Sequence, residues 1–181
     1  MPNSRLSWIV AIVIVTTMLA LPCRADGPTR EYQVKAAFLY NFTQFVEWPD
    51  SAFASKDSPF ILATVGDDPF DGILERVTAD KTASDRPIHV VHYDSPDHIG
   101  DCQVLFVPAA QEASMKEILD KLDKKSVLTV GETETFTPSG GSMRFFLEEN
   151  RMRFEINTDV VDEAGLKVSA KLMKLARIYK K

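Results

Sequence analysis

The chain has 181 residues, of which 45% are hydrophobic and 26% are charged, and its formal net charge at pH 7 is −5. This is ordinary globular composition, so it excludes a disordered chain. The single long apolar run also excludes a protein that crosses a membrane several times. The acidic balance gives no electrostatic basis for binding nucleic acid, and we expect no nucleic-acid partner.

The N-terminal segment has the pattern of an export signal. Arg5 is followed by a long uncharged run, and a small-x-small motif ends at Ala25. We therefore predict a cleaved signal peptide over residues 1–25 and an exported domain over residues 26–181. Two alternatives stay open: an uncleaved anchor helix, since the run is near the shortest length that spans a bilayer, and a lipoprotein acylated at Cys23.

Helical and extended patterns then alternate without an internal repeat. This order predicts a single α/β domain with a mostly parallel central sheet flanked by helices. Apolar residues recur on one face of a first helix over residues 29–46, which Trp48-Pro49 ends. Lys35 falls on that apolar face, so its side chain either snorkels, pairs with a buried acid or meets a ligand. Tyr40 lies on the polar face and is a candidate exposed aromatic for partner binding.

Later elements follow the same alternation. Strands are predicted over residues 60–65, 87–92, 104–107 and 127–130, and helices over residues 69–77 and 111–122. Asp68 fits the N-cap of the helix that begins at Pro69.

A C-terminal antiparallel hairpin is predicted with Glu149-Asn150 as its two-residue turn. In that register, apolar pairs such as Phe145–Phe154 alternate with pairs that join an acid to a base or an arginine to an aromatic ring. A slip of one residue would place acids on the core face. Phe146 lies on the outer face, either exposed as a second partner-binding aromatic or packed against Arg153.

A terminal helix is predicted from the break at Gly165 to about Tyr179. Lys171 and Lys174 lie on its basic face. This face is either solvated or a dock for anionic lipid or an acidic partner.

The three histidines lie close together between His89 and His98. On a strand, His89 and His92 point to opposite faces and cannot share a metal. His92, Asp94 and His98 are weak metal candidates, because no HExxH or CxxC spacing supports them. No metal site is therefore predicted.

Two further features bear on chemistry. Gly66 and Asp67 follow the first strand, where α/β sheets bind ligands, and are candidate ligand-binding residues. Cys102 is predicted to be a free thiol in the mature chain, either buried or linked to a second chain. No nucleophile elbow or phosphate-binding loop is present, so we predict no catalytic residue, no cofactor and no enzyme activity.

Four motifs in order resemble the YfiR-like periplasmic family. They are the helix 31–49 that closes on Val-Glu-Trp-Pro, the turn 65–70, the strand 102–107, and the segment 151–157 with its continuation through 164–172. The resemblance implies an exported α/β domain, often dimeric, that restrains an inner-membrane diguanylate cyclase. A sensor kinase is the other membrane partner we consider, and an OmpA-like outer-membrane lipoprotein is the expected releasing partner.

One departure from the family concerns cysteine. Some members carry paired cysteines that form internal disulfides, whereas Cys102 has no partner in the predicted mature chain. Control by an internal disulfide is therefore not expected here. The alternative function, based on the open α/β pattern, is a soluble periplasmic module that binds a small molecule.

Overall fold

The computed structural model describes residues 27–123 and 125–180. The predicted signal peptide, and its alternatives as an anchor or a lipoprotein, lie outside these residues. No helix within the two described ranges is long and apolar enough to cross a bilayer.

The chain begins with one long helix and continues as short strands and helices. In chain order the elements are α1 (Gly27–Phe45), β1 (Val46–Glu47), β2 (Phe60–Val65), α2 (Ile73–Thr78), β3 (Thr82–Ala83), β4 (Arg86–Tyr93), β5 (Val104–Val107), α3 (Met115–Leu122), β6 (Leu128–Gly131), β7 (Met143–Glu148), β8 (Arg151–Asn157), α4 (Thr158–Glu163), β9 (Lys167–Val168), α5 (Ala170–Met173) and β10 (Arg177–Tyr179).

A mixed sheet of eight strands forms the centre, in the order β10-β8-β7-β6-β5-β2-β4-β3. Strands β4, β2, β5, β6 and β7 are mutually parallel. β8 runs antiparallel to β7, and β3 runs antiparallel to β4. The predicted single α/β domain with a mostly parallel sheet is confirmed.

Helices cover both faces of the sheet, because alternate side chains of a strand point in opposite directions. On one face, Phe42 of α1 packs on the hairpin, with its ring centroid 5.1 Å from that of Phe154. On the other face, Ile118 of α3 belongs to the same buried cluster as Ala63 and Leu105. A fully buried phenylalanine such as Phe42 contributes about 1.5–3 kcal/mol of hydrophobic stabilisation.

The predicted hairpin register is confirmed. All six pairs, from Met143–Ile156 at the base to Glu148–Arg151 at the tip, are observed. Glu149 and Asn150 both adopt positive φ, 49° and 60°, as a type I′ turn requires. The alternation of apolar and charged pairs is therefore sufficient to set the register.

The predicted terminal helix is wrong. Residues 167–179 instead form β9, the single turn of α5 and the edge strand β10. β9 pairs with β1, and the N–H of Ser169 donates to the C=O of Phe45. β10 pairs with β8. Hydrogen bonds to distant strands thus outweigh a local helical pattern, and Lys171 and Lys174 do not share a long helical face.

Two other helices differ from their predicted bounds. The predicted helix 69–77 is α2, which begins only at Ile73, after Gly72 in the left-handed region at φ 72°. Asp68 caps a turn rather than the helix, since its carboxylate accepts the N–H of Phe70 at 3.1 Å. The predicted helix 111–122 begins as a 3-10 helix, Ala109–Ser114, before α3.

Candidate functional site

The strand order reverses between β2 and β5, at the carboxyl edge of the sheet. Open α/β sheets bind ligands in the crevice outside such a reversal. Gly66 lies there at φ 79°, and its N–H donates to the C=O of Tyr93 at 2.8 Å. A Cβ on Gly66 would come within 2.2 Å of Nε2 of Gln111, so the Gln111 amide occupies the space beside it. Asp67 is exposed next to this filled crevice.

Next along the same edge lies a buried ionic group, called here the edge cluster: Glu31, Tyr32, Lys35 and Glu132. Lys35 is only 3% exposed. Its ammonium contacts the carboxylate of Glu132, lies 2.5 Å from Oε1 of Glu31, and sits 4.5 Å from the ring centroid of Tyr32. The cluster therefore joins the first turns of α1 to the end of β6.

Glu132 is the centre of the edge cluster. Its Oε1 accepts the N–H of Ala109 at 2.7 Å and the O–H of Tyr32 at 3.3 Å, while Oε2 receives Lys35. Burial, and then the Glu132 carboxylate, raise the pKa of Tyr32 well above its usual range. The phenol therefore remains a proton donor at neutral pH. Of the three alternatives for Lys35, pairing with a buried acid is the one observed.

Beside the edge cluster the surface opens into a groove of about 280 Å³, called here the edge notch. It exists because β6 ends at Gly131 while β7 continues to Glu148. Its walls come from α1, from the segment after β6 and from the hairpin: Glu31, Lys35, Glu132, Glu134, Arg144, Phe145, Phe146, Leu147 and Met152.

The two predicted partner-binding aromatics have different environments. Tyr40 is half-buried and packs against the core under α1. Phe146 is half-buried on the outer face of the hairpin, with the guanidinium of Arg177 4.0 Å from its ring centroid and that of Arg144 at 5.3 Å. Arg153 lies opposite Phe146 in the strand register, as predicted, but its side chain is 3.6 Å from Glu148.

The two predicted partner-binding lysines are exposed. The ammonium of Lys171 lies 5.0 Å from the ring centroid of Phe45, whereas Lys174 follows the short helix α5. They thus lie near the end of α1, on elements separate from the hairpin that carries Phe146.

His92 connects three elements. Its Nδ1 lies 2.7 Å from Oγ1 of Thr64 in β2, and its Nε2 lies 2.6 Å from Oε1 of Glu75 in α2. Burial acts to raise the pKa of Glu75, but the bond to His92 outweighs it and leaves that pKa lowered. Asp94 and His98 are exposed. Among the described residues, no three or more His, Cys, Asp or Glu side chains are placed to hold a metal ion.

Cys102 is buried at the start of β5, which confirms the prediction of a small packed side chain. Burial, and to a lesser extent Asp101, raise the pKa of the thiol to about 12. The thiol is therefore protonated at neutral pH.

Sequence reasoning identified Lys35 as unusual but missed Glu132, Tyr32 and Leu147. Glu132 follows β6 directly, and a charged residue at the carboxyl end of a parallel strand is the one signal that points to it. Leu147 continues the apolar alternation of β7, so its 59% exposure depends on how far neighbouring elements reach.

Fold and carboxyl edge together define the class: an open, three-layer α/β domain built on a mixed sheet. The same fold is found in the crystal structure of an ABC domain in complex with L-Trp from Streptococcus pneumoniae, with a TM-score of 0.54 and 9% sequence identity. That similarity covers 82% of this chain and 60% of the other, so this chain spans less than two thirds of its structural neighbour.

A family model described as YfiR/HmsC-like matches residues 32–177. The match extends from the first turns of α1 to the start of β10. The chain therefore belongs to the YfiR/HmsC-like family.

Proposed function

We propose that this protein is a periplasmic regulator that binds an inner-membrane signalling enzyme and restrains it. The enzyme is a diguanylate cyclase, so the output is the level of cyclic di-GMP and hence biofilm formation. The observation that carries the proposal is the family match over residues 32–177, which spans nearly the whole described domain.

Two further features support this function. The basic, apolar and small-residue order of residues 1–25 is that of a cleaved export signal, which fits a periplasmic location. The polar groups at the carboxyl edge bond to one another: Glu132 is engaged by Lys35, Tyr32 and Ala109. Such internal satisfaction supports a role in binding a partner rather than in catalysis.

Release of the enzyme forms the second part of the proposal. An OmpA-like lipoprotein of the outer membrane binds the protein and withdraws it from the cyclase, and the binding form includes a homodimer. A sensor kinase in place of the cyclase is a variant of the same mechanism.

The test is capture of the tagged protein from gently solubilised membranes of its own host, followed by mass spectrometry. The proposal predicts enrichment of a membrane protein that carries a cytoplasmic cyclase or kinase domain. If the bait is folded and abundant and no such protein is enriched, the proposal is wrong.

A second candidate function is a soluble periplasmic module that binds a small molecule. One observation favours it: an open groove of about 530 Å³ at the amino ends of the strands, whose lining includes Phe53, Ile61 and Lys125. A metabolite that binds there raises the melting temperature by mass action. A metabolite panel at millimolar concentration that leaves the melting temperature unchanged would remove this candidate.

A further inference from the structure

We propose that the edge notch binds an extended peptide segment, alternately basic and apolar, which adds a strand beside β7. The inference rests on the proposed function in one respect: the segment belongs to the protein partner. It concerns the residues after Arg144 in the hairpin, which project beyond the neighbouring strand.

The open strand edge is the first step. β7 pairs with β8 along its whole length, but it pairs with β6 only at Met143 and Arg144. Residues 145–148 thus have no neighbouring strand on the β6 side among residues 27–123 and 125–180. Unpaired main-chain N–H and C=O groups on an exposed edge are a template for another strand.

The dimensions fit a short peptide. Four residues at about 3.4 Å each give an edge of roughly 13 Å, which matches a strand of four or five residues. The groove beside this edge has a volume of about 280 Å³, which leaves room for side chains of the added strand.

The chemistry of the walls defines the peptide. Leu147 is 59% exposed and offers an apolar contact to every second side chain of an added strand. Three carboxylates, those of Glu31, Glu132 and Glu134, line the notch against the single ammonium of Lys35. The guanidinium of Arg144 is engaged by Glu155 at 2.8 Å. The notch is therefore apolar on one side and negative on the other, which complements lysine or arginine alternating with apolar residues.

A second copy of this chain is a poorer complement. Pairing two β7 edges would bring the Glu134 carboxylate and the other acids of one notch towards those of the other. Like charges brought together across an interface oppose association. A basic partner strand avoids this repulsion.

The test uses the full chain, expressed with its own export segment and purified, and a six-residue peptide of alternating lysine and valine. Amide hydrogen exchange is followed in the fragment 143–150. We expect fast exchange at the outer edge in the free protein and at least fivefold slower exchange with saturating peptide. The same peptide with glutamate in place of lysine is expected to give no protection, and protection by the lysine peptide is expected to weaken as salt is raised.

Two matched pairs of variants locate the effect. Leu147→Ala is expected to weaken peptide binding about fivefold, because part of a leucine side chain no longer becomes buried. Leu175→Ala removes an equally exposed leucine, 59%, outside the notch and is expected to leave binding unchanged. Glu134→Lys is expected to weaken binding, whereas Glu163→Lys on α4 is not. Because all four side chains are exposed, these variants are expected to fold.

Three results would overturn the inference. Equal protection by the acidic peptide would remove the charge argument, and equal effects of the two leucine variants would place binding elsewhere. Slow exchange in the free protein would show that a second copy or another segment of this chain already covers the edge. If any of these holds while membrane capture still enriches a cyclase, the proposed function stands and only the notch is wrong.

Discussion

Replacing Glu132 with glutamine is expected to lower the free energy of unfolding by about 2–3 kcal/mol. Removing one partner of a buried ion pair costs about 3–5 kcal/mol, because the other charge stays buried without compensation. Here Lys35 is 3% exposed but keeps Glu31, whose side chain is 39% exposed and screened by water, so the loss is smaller. Lys35→Met is expected to cost about 3 kcal/mol, since the Glu132 carboxylate then keeps only neutral donors.

The double variant Lys35→Met/Glu132→Gln separates this pair from general packing. Its destabilisation is expected to fall short of the sum of the two single changes by about 1.5 kcal/mol or more. The assay is urea unfolding, in which the loss appears as a lower midpoint at an unchanged slope. Lys116→Met is the matched control: its ammonium lies 2.5 Å from Asp120, but its side chain is 83% exposed, so the cost is expected to be below about 0.5 kcal/mol. Equal costs at Lys35 and Lys116, or strict additivity, would refute the reasoning.

Three further predictions concern packing, pH and the thiol. Gly141→Ala is expected to destabilise the fold by about 1–3 kcal/mol, because its Cβ would lie 2.2 Å from the buried ring of Phe136; thermal unfolding measures this. Burial acts to raise the pKa of Glu155, but the hydrogen bond from Arg144 outweighs it and leaves that pKa lowered. Its stabilising contribution is therefore complete above about pH 5 and is lost as the pH falls below the unfolded value near 4.3 and through the lower folded pKa, so Glu155→Gln is expected to flatten the acid limb of the stability profile. Cys102, whose pKa burial raises to about 12, is expected to resist iodoacetamide at pH 8 until the protein is unfolded, as mass spectrometry of its tryptic fragment would show.

Each of these predictions has a contradicting result. An unchanged melting temperature for Gly141→Ala would mean that the Phe136 ring moves aside freely. An acid limb of the same slope in Glu155→Gln and the original protein would assign the loss to other carboxylates. Complete labelling of Cys102 within minutes under native conditions would show that the thiol is accessible.

Much of the fold could be predicted because its signals are local. The hairpin is the clearest case: charged and apolar pairs alternate on both strands, so one register alone satisfies both faces. The strand Val104–Val107 was predicted with its observed bounds, because a short run of four apolar residues is typical of a central strand.

The C-terminal segment shows where local signals fail. Val168, Leu172 and Leu175 recur at helical spacing, yet only the turn Ala170–Met173 is α-helical. Ser169 ends the preceding strand by bonding to Phe45, a residue 124 positions earlier, and β10 completes the sheet beside β8. These partners lie far away in the sequence, so no window of it contains them.

The edge notch and the edge cluster also depend on long-range geometry. Lys35 was visible as a charge on an apolar face, but its partner Glu132 lies 97 residues away. Leu147 is exposed because β6 ends at Gly131, four residues short of the hairpin tip in the strand register. A difference in length between neighbouring strands is a property of the assembled sheet, so the sequence pattern of β7 alone did not reveal it.

The central claim is that the protein restrains a diguanylate cyclase. The most direct measurement is the cellular content of cyclic di-GMP, by liquid chromatography and mass spectrometry, in the host with and without the chromosomal gene. The account predicts a rise on deletion, and a return to the original level when the full chain is supplied again with its export segment. An unchanged content in the deletion strain, under conditions in which the protein is abundant in the parent, would contradict the account.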